Sequence, residues 1–289
     1  MSQIQWFPGH MAKARRQVSE NLKLIDLVIE LIDARIPESS QNPILHELIS
    51  GKKRVRVLNK ADLADKGVTQ AWIQFYEKQG IPSLAIDAQH NQGIKQLEKT
   101  IKNLMKEDFD KLREKGVKPR PIRLMILGIP NVGKSTLINR FVGKNQAQTG
   151  NKPGVTKSQR WLKIGKEFEL LDTPGILWPK FEEPEVGLKL AVTGAIKDQL
   201  LHMDDLALNL INFLRKNHTQ AFYSYSRLDR DDLDTLSNVD FLLALAQRWG
   251  MKDDYDAASE RLIYDFRKNK ICQASLDLPF NQKESLKHE

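Results

Sequence analysis

The run Gly128-Ile-Pro-Asn-Val-Gly-Lys-Ser135 constrains this chain more than any other stretch. It fits the pattern G-x-x-x-x-G-K-[ST] and lies between an apolar run and a segment of helical period. Glycines in such a loop let backbone N–H groups converge on phosphate oxygens, and the N-terminus of the next helix adds partial positive charge. At average residue frequencies, a chance match in a chain of 289 residues has a probability on the order of 1%. The candidate contacts are Asn131, Val132, Gly133, Lys134, Ser135 and Thr136. Lys134 is expected to reach the β- and γ-phosphates, and the Ser135 hydroxyl to ligate Mg2+.

Around this loop, short apolar runs alternate with helix-period segments. Strands are expected at 27–32, 54–58, 82–86, 122–127, 160–164 and 167–171. Helices are expected at 8–24, 43–49, 68–79, 93–105 and 134–142. The alternation implies right-handed crossovers and an α/β fold, a mainly parallel sheet with helices on both faces. Beyond about Glu185 the strand signals fade, and 200–214, 239–249 and 254–267 carry helical periodicity.

A second motif, Asn59-Lys60-Ala61-Asp62, ends the expected strand at 54–58, where ligands bind in open sheets. A carboxylate at Asp62 accepts two hydrogen bonds from the N1–H and exocyclic amine of guanine, a donor pair that adenine lacks. The Lys60 stem would lie along the base, and Asn59 would tie this loop to the phosphate loop. Asp172-Thr-Pro-Gly175 ends another strand; Asp172 would hold Mg2+ through water, and the Gly175 N–H would meet the γ-phosphate. Thr156, in Pro153-Gly-Val-Thr156, fits a switch threonine over Mg2+, against the plainer reading of an ordinary loop residue. Asp87-Ala88-Gln89 follows the strand at 82–86 and can offer a backbone N–H to the guanine oxygen, or be a plain turn.

Ordinary GTPase domains run phosphate loop, switch threonine, D-x-x-G, N-K-x-D, then the last base loop. Here the base-side pieces come first, so the order implies a circularly permuted P-loop GTPase domain over 26–180. The charge-dense stretch 106–121, with Gly116, Pro119 and Pro121, is expected to be the linker joining the original ends. A basic helical segment at 1–25 would precede this domain, and a small all-helical domain at 185–289 would follow it. The Asp172–Gly175 switch then leads towards the helical domain, so loss of γ-phosphate can reposition it.

The residue after Gly175 is Ile176, where Ras-like proteins place a glutamine that orients the attacking water. Isoleucine cannot hydrogen-bond water, so hydrolysis is expected to be slow alone and stimulated by a partner. Two substitutes are visible. Asn131 is a candidate ligand for a monovalent cation such as K+, or has a purely structural role. His10 is a candidate water-orienting catalytic group, or a histidine that contacts RNA or solvent.

The formal charge is +8, with +11 on the first 199 residues and −3 on the remainder. Such an excess suits an RNA or phosphate-rich partner, or simply a solvated basic surface. No stretch approaches the roughly 18 apolar residues that span a bilayer, and no signal-peptide core is seen near Met1. The lone Cys272 excludes an internal disulfide. A cytoplasmic protein, assumed to be a monomer and without a membrane partner, is expected.

These motifs, with the opening Ile4-Gln-Trp-Phe-Pro-Gly-His-Met11 and the turn Asp33-Ala-Arg-Ile-Pro37, resemble the ribosome biogenesis GTPase A (YlqF-type) family of bacterial circularly permuted GTPases along the whole chain. The resemblance implies GTP hydrolysis triggered on the large (50S) ribosomal subunit during its late maturation. It also implies contact of the C-terminal domain with rRNA, and catalysis centred on His10. Asp87-Ala88-Gln89 departs from the family's S-A-K. Within the slightly acidic C-terminal domain, the candidate RNA stripe is Arg261, Arg267, Lys268 and Lys270. Two other expectations compete: a GTPase switch for another client, such as one in tRNA modification, and a GTP/GDP-binding scaffold without turnover.

Overall fold

The computed structural model describes residues 9–143, 160–173, 175–178, 181, 183–229, 231 and 235–279, without the side chains of residues 9, 10, 11, 14 and 160. Six strands form one sheet: β1 (Leu27–Asp33), β2 (Lys53–Asn59), β3 (Ser83–Ala85), β4 (Ile122–Gly128), β5 (Arg160–Ile164) and β6 (Phe168–Asp172). Their spatial order is β3-β2-β1-β4-β6-β5, parallel except for β5, which returns antiparallel to β6. β1 is buried along its full length, as a central parallel strand covered on both faces must be.

Alternate residues of β1 enter opposite cores. Leu27, Ile29 and Leu31 join the face packed by α4 (Ile94–Glu114) and α5 (Lys134–Val142) through Leu97, Ile101, Leu137 and Phe141. Val28 joins Val18 and Leu22, from α1 (Gly9–Asn21) and the turn after it, and Leu45 of α2 (Pro43–Leu48). Ile32, on the same face as Val28, meets Trp72 and Tyr76 of α3 (Lys66–Lys78). Each fully buried aliphatic side chain contributes about 1.5–3 kcal/mol. Glu30 sits inside this apolar strand because the Arg56 guanidinium reaches it with Nε at 3.0 Å and Nη2 at 2.9 Å.

After the sheet come α6 (Pro184–Val192), α7 (Met203–Asn217), α8 (Thr219–Ser226), α9 (Asn238–Arg248) and α10 (Tyr255–Arg267). Their apolar stripes, among them Leu206, Leu210 and Leu214 of α7 and Leu262 and Phe266 of α10, belong to the same buried cluster as Leu27 and Ile29. The helical part thus extends the sheet's own core. The last described segment, 268–279, then runs back along the loops at the ends of β1 and β2.

One sequence expectation needs correction, and two helices were not expected. α4 does not stop at Met105 but continues to Glu114, so the helix takes up much of the stretch read as linker from Lys106. Its added turns carry helix formers and the pairs Lys111–Glu107 and Arg113–Asp110, and Gly116 stops it at φ +74°. α6 and α8 lacked a clear sequence signal. Each has fewer than ten residues, too few for periodicity to stand out. Among the described residues no helix is long and apolar enough to cross a membrane.

Candidate nucleotide site

The phosphate loop leaves the end of β4 and enters α5 at Lys134. Gly133 is held at φ +99°, and a Cβ there would collide with the Asn59 side-chain amide. Only glycine fits this position, because the loop and the Asn59 side chain share the space. Asn59 joins three loops: its Nδ2 donates to the Val132 carbonyl at 2.8 Å, and its Oδ1 accepts from the Ala88 N–H at 3.1 Å. The expected tie between Asn59–Asp62 and the phosphate loop is therefore present, and it extends to Asp87–Ala88.

Lys134 folds back over its own loop, donating to the carbonyls of Gly128 at 3.1 Å and Ile129 at 2.8 Å. Burial pushes its ammonium down to about 7, against the opposing pull of Asp172. Asp172 ends β6, which pairs directly with β4, and is itself buried. Ser135 follows Lys134 in the first turn of α5. Gly175 lies against the phosphate loop: a Cβ there would approach the Pro130 Cα to 2.7 Å and the Lys134 Nζ to 3.0 Å. The structure thus gathers Lys134, Ser135, Asp172 and Gly175 around one loop. Thr156 lies outside the described residues. His10 falls in the first turn of α1, with its side chain outside them.

On the base side, Asp62 and Asp87 lie close enough that an oxygen from each and a His90 ring nitrogen fall within 4.8 Å of one another. Burial raises the Asp62 pKa, and the Asp87 carboxylate adds to it by repulsion. Asp87 is tied down by His90, whose N–H reaches Oδ1 at 3.0 Å. Arg140 of α5 holds the loop from the other side, donating from Nε to the Ala88 carbonyl at 3.0 Å. Lys60, at φ +61°, sends its Nζ to Asp33 Oδ2 at 3.0 Å.

Sequence reasoning gave Asp33 and Arg35 no role in the site. Both are 2% exposed, and Arg35 forks onto Asp33 with Nε at 3.0 Å and Nη2 at 2.8 Å. Burial by itself would raise the Asp33 pKa, but Arg35 and Lys60 outweigh it and hold the carboxyl far below its usual range. The second contact of Arg35 Nη2 is the Thr193 carbonyl, at 3.2 Å, just beyond α6. A usable signal was present: Asp33 ends the strand next to β4, the place where ligand loops gather.

Two residues singled out in the sequence have partners on the helical side. Asn131 Nδ2 donates to the Gly194 carbonyl at 3.1 Å, so its amide already has a partner on the helical side. Arg267 is not part of a free RNA stripe. It donates to the carbonyls of Val192 at 2.8 Å and Ala191 at 2.7 Å, and both arms of its guanidinium reach Asp198 at 2.9 Å. It caps the carbonyl end of α6, where a cation is favoured. Ile176, in turn, is 1% exposed and faces Val18, Leu45 and Leu127.

A phosphate loop on β4 and an Asn-Lys-Ala-Asp loop on β2, earlier in the chain yet at the same end of the sheet, form the circularly permuted P-loop GTPase fold. Comparisons with known proteins agree. A family model described as a 50S ribosome-binding GTPase matches residues 123–245. The ribosome biogenesis GTPase A of Priestia megaterium is 51% identical over 287 residues, covering 98% of this chain and 99% of the relative. That of Bacillus licheniformis is 52% identical over 285 residues, covering 96% and 98%. Among solved structures, GNP-bound YlqF from T. maritima has a TM-score of 0.63 at 23% identity, covering 93% of this chain and 99% of that one, and it speaks for the fold. The chain belongs to the ribosome biogenesis GTPase A family, and it is a GTPase.

Proposed function

We propose that this chain is a cytoplasmic GTP-hydrolysing factor of late large-subunit (50S) assembly, slow alone and triggered by the ribosomal particle. The observation that carries this reading is the burial of Ile176. The side chain after Gly175 faces the core and carries no polar atom, and the Ile176 N–H and carbonyl are held by Gly128 and Asn42, so the water-orienting group has to come from elsewhere in the chain or from a partner. Near-full-length similarity to proteins named ribosome biogenesis GTPase A supports the ribosomal particle as that partner.

In this reading residues 26–180 bind and hydrolyse GTP, while 1–25 and 185–289 face the particle. Asp62 reads guanine, and Asn59, Lys60 and Ala61 shape its loop; with the Asp87 and Ala88 N–H groups held by Gln92 and Asn59, the turn Asp87-Ala88-Gln89 would meet the guanine oxygen through the Gln89 N–H. Residues 131–136 and Gly175 surround the phosphates. Ser135, Asp172 and Thr156 would hold Mg2+, and their hydroxyl and carboxylate oxygens are the hard donors such an ion prefers. When bound, the ion would neutralise charge that develops on the β- and γ-phosphates. Asn131 is the proposed K+ ligand through its Oδ1, with Nδ2 kept on the Gly194 carbonyl, and His10 is the proposed water-orienting group. RNA contact by the helical part then falls to Lys268 with the exposed Tyr264, since Arg261 and Lys270 already engage Asp265.

GTP turnover measured with and without purified 50S particles, in K+ and in Na+, tests the proposal. Stimulation by the particles, larger in K+, is expected, and His10→Ala should slow the stimulated rate while leaving nucleotide binding intact. Stimulation by tRNA in place of 50S would point to the other client. Lack of turnover in every arm would favour a nucleotide-binding scaffold.

A further inference from the structure

The end of the described chain is laced to the loop that carries Asp62. Gln273 Nε2 donates to the backbone carbonyl of Asp62 at 2.8 Å, and Asn269 Nδ2 approaches the same oxygen at 3.4 Å. The Ala274 N–H donates to the Leu63 carbonyl at 3.2 Å, and Ser275 Oγ accepts from the Asp65 N–H at 3.2 Å. Leu276 N–H donates to the Arg35 carbonyl at 2.7 Å. Four consecutive residues, 273–276, therefore each bond to the turns at the ends of β1 and β2.

Asp277 anchors the far end of this strap. It is 1% exposed, accepts from the Ser39 N–H at 2.7 Å and Ser39 Oγ at 2.9 Å, and pairs with Lys189 Nζ of α6 at 3.0 Å. Its carbonyl accepts from Trp72 Nε1 of α3 at 3.1 Å. At the near end, only five residues separate Gln273 from Arg267, the last residue of α10 and the one fastened to α6. Within that connection the Asn269 and Lys270 N–H groups donate to the Phe266 and Asp265 carbonyls of α10, each at 3.0 Å, so a shift of α10 carries the start of the strap with it.

The loop on the receiving side needs support. Lys60 occupies the left-handed region at φ +61°, which costs a non-glycine residue about 1–2 kcal/mol and persists only where the surroundings enforce it. Asn59 and the Ala61 N–H pin the beginning of the loop, to Val132, Ala88 and Ile86. From Asp62 onward, the strap supplies the bonds described above. Two hydrogen bonds from guanine to one carboxylate demand a fixed carboxylate, since misplacement by a fraction of an ångström weakens both.

We propose that Gln273 is a positioning residue for guanine recognition, and that the strap 269–277 makes retention of guanine nucleotide depend on docking of the C-terminal helices. This rests on the reading of Asp62 as the guanine-reading carboxylate. Whatever reorients α10 loosens the Asp62 loop and speeds nucleotide release, a route separate from the Asp172–Gly175 switch.

The test uses the full chain and fluorescent GDP, followed by rapid mixing, with GTP and ITP compared in competition. Gln273→Ala removes one hydrogen bond from an exposed side chain, so the folded state should persist. GDP release should quicken about five-fold, in line with the loss of one such bond. Preference for GTP over ITP, which lacks the 2-amino donor, should fall as well. Single-turnover hydrolysis at saturating GTP should be unchanged, and Gln273→Lys, which keeps a donor, should restore slow release. Unchanged release and unchanged GTP/ITP preference would overturn the proposal. So would faster release that tracks a lowered Tm and that Gln273→Lys does not reverse. Asp62→Asn serves as the control for the underlying reading and should turn preference from guanine towards xanthine. If that shift occurs while Gln273→Ala is silent, only the strap proposal fails; if Asp62→Asn leaves preference unchanged, the base assignment itself falls.

Discussion

The side chain of Asn131, in the phosphate loop, donates to the backbone carbonyl of Gly194 at 3.1 Å, joining the nucleotide site to the first turn after α6. Gly194 sits at φ +83°, and a Cβ placed on it would lie 3.2 Å from Asn131 Nδ2 and 3.4 Å from the Arg267 guanidinium. One small residue therefore separates the phosphate loop from α10, the last helix among the described residues. Its neighbour Thr193 receives Arg35, so the Asp33–Lys60 cluster meets the same turn.

Gly194→Ala should therefore disturb both sides at once. The left-handed backbone alone costs about 1–2 kcal/mol with a Cβ, and Asn131 or Arg267 has to yield as well. A lowered urea midpoint together with altered GTP affinity is expected. A variant as stable as the parent, with unchanged affinity, would show that the turn is not a junction.

Lys134 should make nucleotide binding proton-linked. Its pKa of about 7 lies below the value of an unfolded lysine, so between those two values the unfolded chain binds the extra proton. The contribution of Lys134 to stability of the nucleotide-free protein thus rises with pH from about 7 to 10. Phosphates favour the charged form, so binding should take up about one proton at pH 8.5 and close to none at pH 6. Calorimetry in buffers of different ionisation enthalpy reads this number directly; a zero slope at the higher pH contradicts it.

Ile176→Gln should not restore a Ras-like active site. The side chain is buried among Val18, Leu45 and Leu127, so the amide would lose its hydration without facing the phosphates. A stability loss of about 2–4 kcal/mol and no gain in intrinsic hydrolysis are expected. Single-turnover assays and a urea titration check both halves. A stable variant that hydrolyses faster alone would place this residue in the site after all.

Asp33→Asn should be among the most damaging changes near the site. It leaves the buried Arg35 and the partly buried Lys60 without their counter-charge, at a cost of about 3–5 kcal/mol. Because the native carboxyl is held far below its usual range, this stabilisation is complete above the unfolded value near 4 and is lost as pH falls below it. Urea midpoints of parent and variant should differ by a constant amount from pH 7 to about 5, and the difference should begin to narrow below about pH 4 and be measurably smaller at pH 3. A constant difference at pH 3 contradicts the linkage.

The phosphate loop, the Asn59–Asp62 motif and Asp172–Gly175 were readable because each needs particular residue types at adjacent positions, and the strands that carry them are continuous apolar runs. The circular permutation followed from their order, and the resemblance to a family from these motifs together with the opening Ile4–Met11 and the Asp33–Pro37 turn. Three things were not readable. The extension of α4 to Glu114 was masked by its charge, since an exposed helix end has no apolar stripe to betray it. The inward turn of Ile176 is set by the path of the chain after β6. Arg267 looked like a free cation because sequence shows its charge but not the carbonyls at the end of α6 that consume it.

By itself, then, the sequence determined the class of fold, the phosphate and base motifs, and the missing glutamine, all of them local patterns whose chemistry lies within a few residues. Tertiary structure alone decided that Asn131 meets Gly194, that Asp33 holds both Lys60 and Arg35, and that Gln273 holds the carbonyl of Asp62 from 211 positions away. Such contacts depend on where packing brings distant segments together, and neither periodicity nor spacing along the chain encodes that.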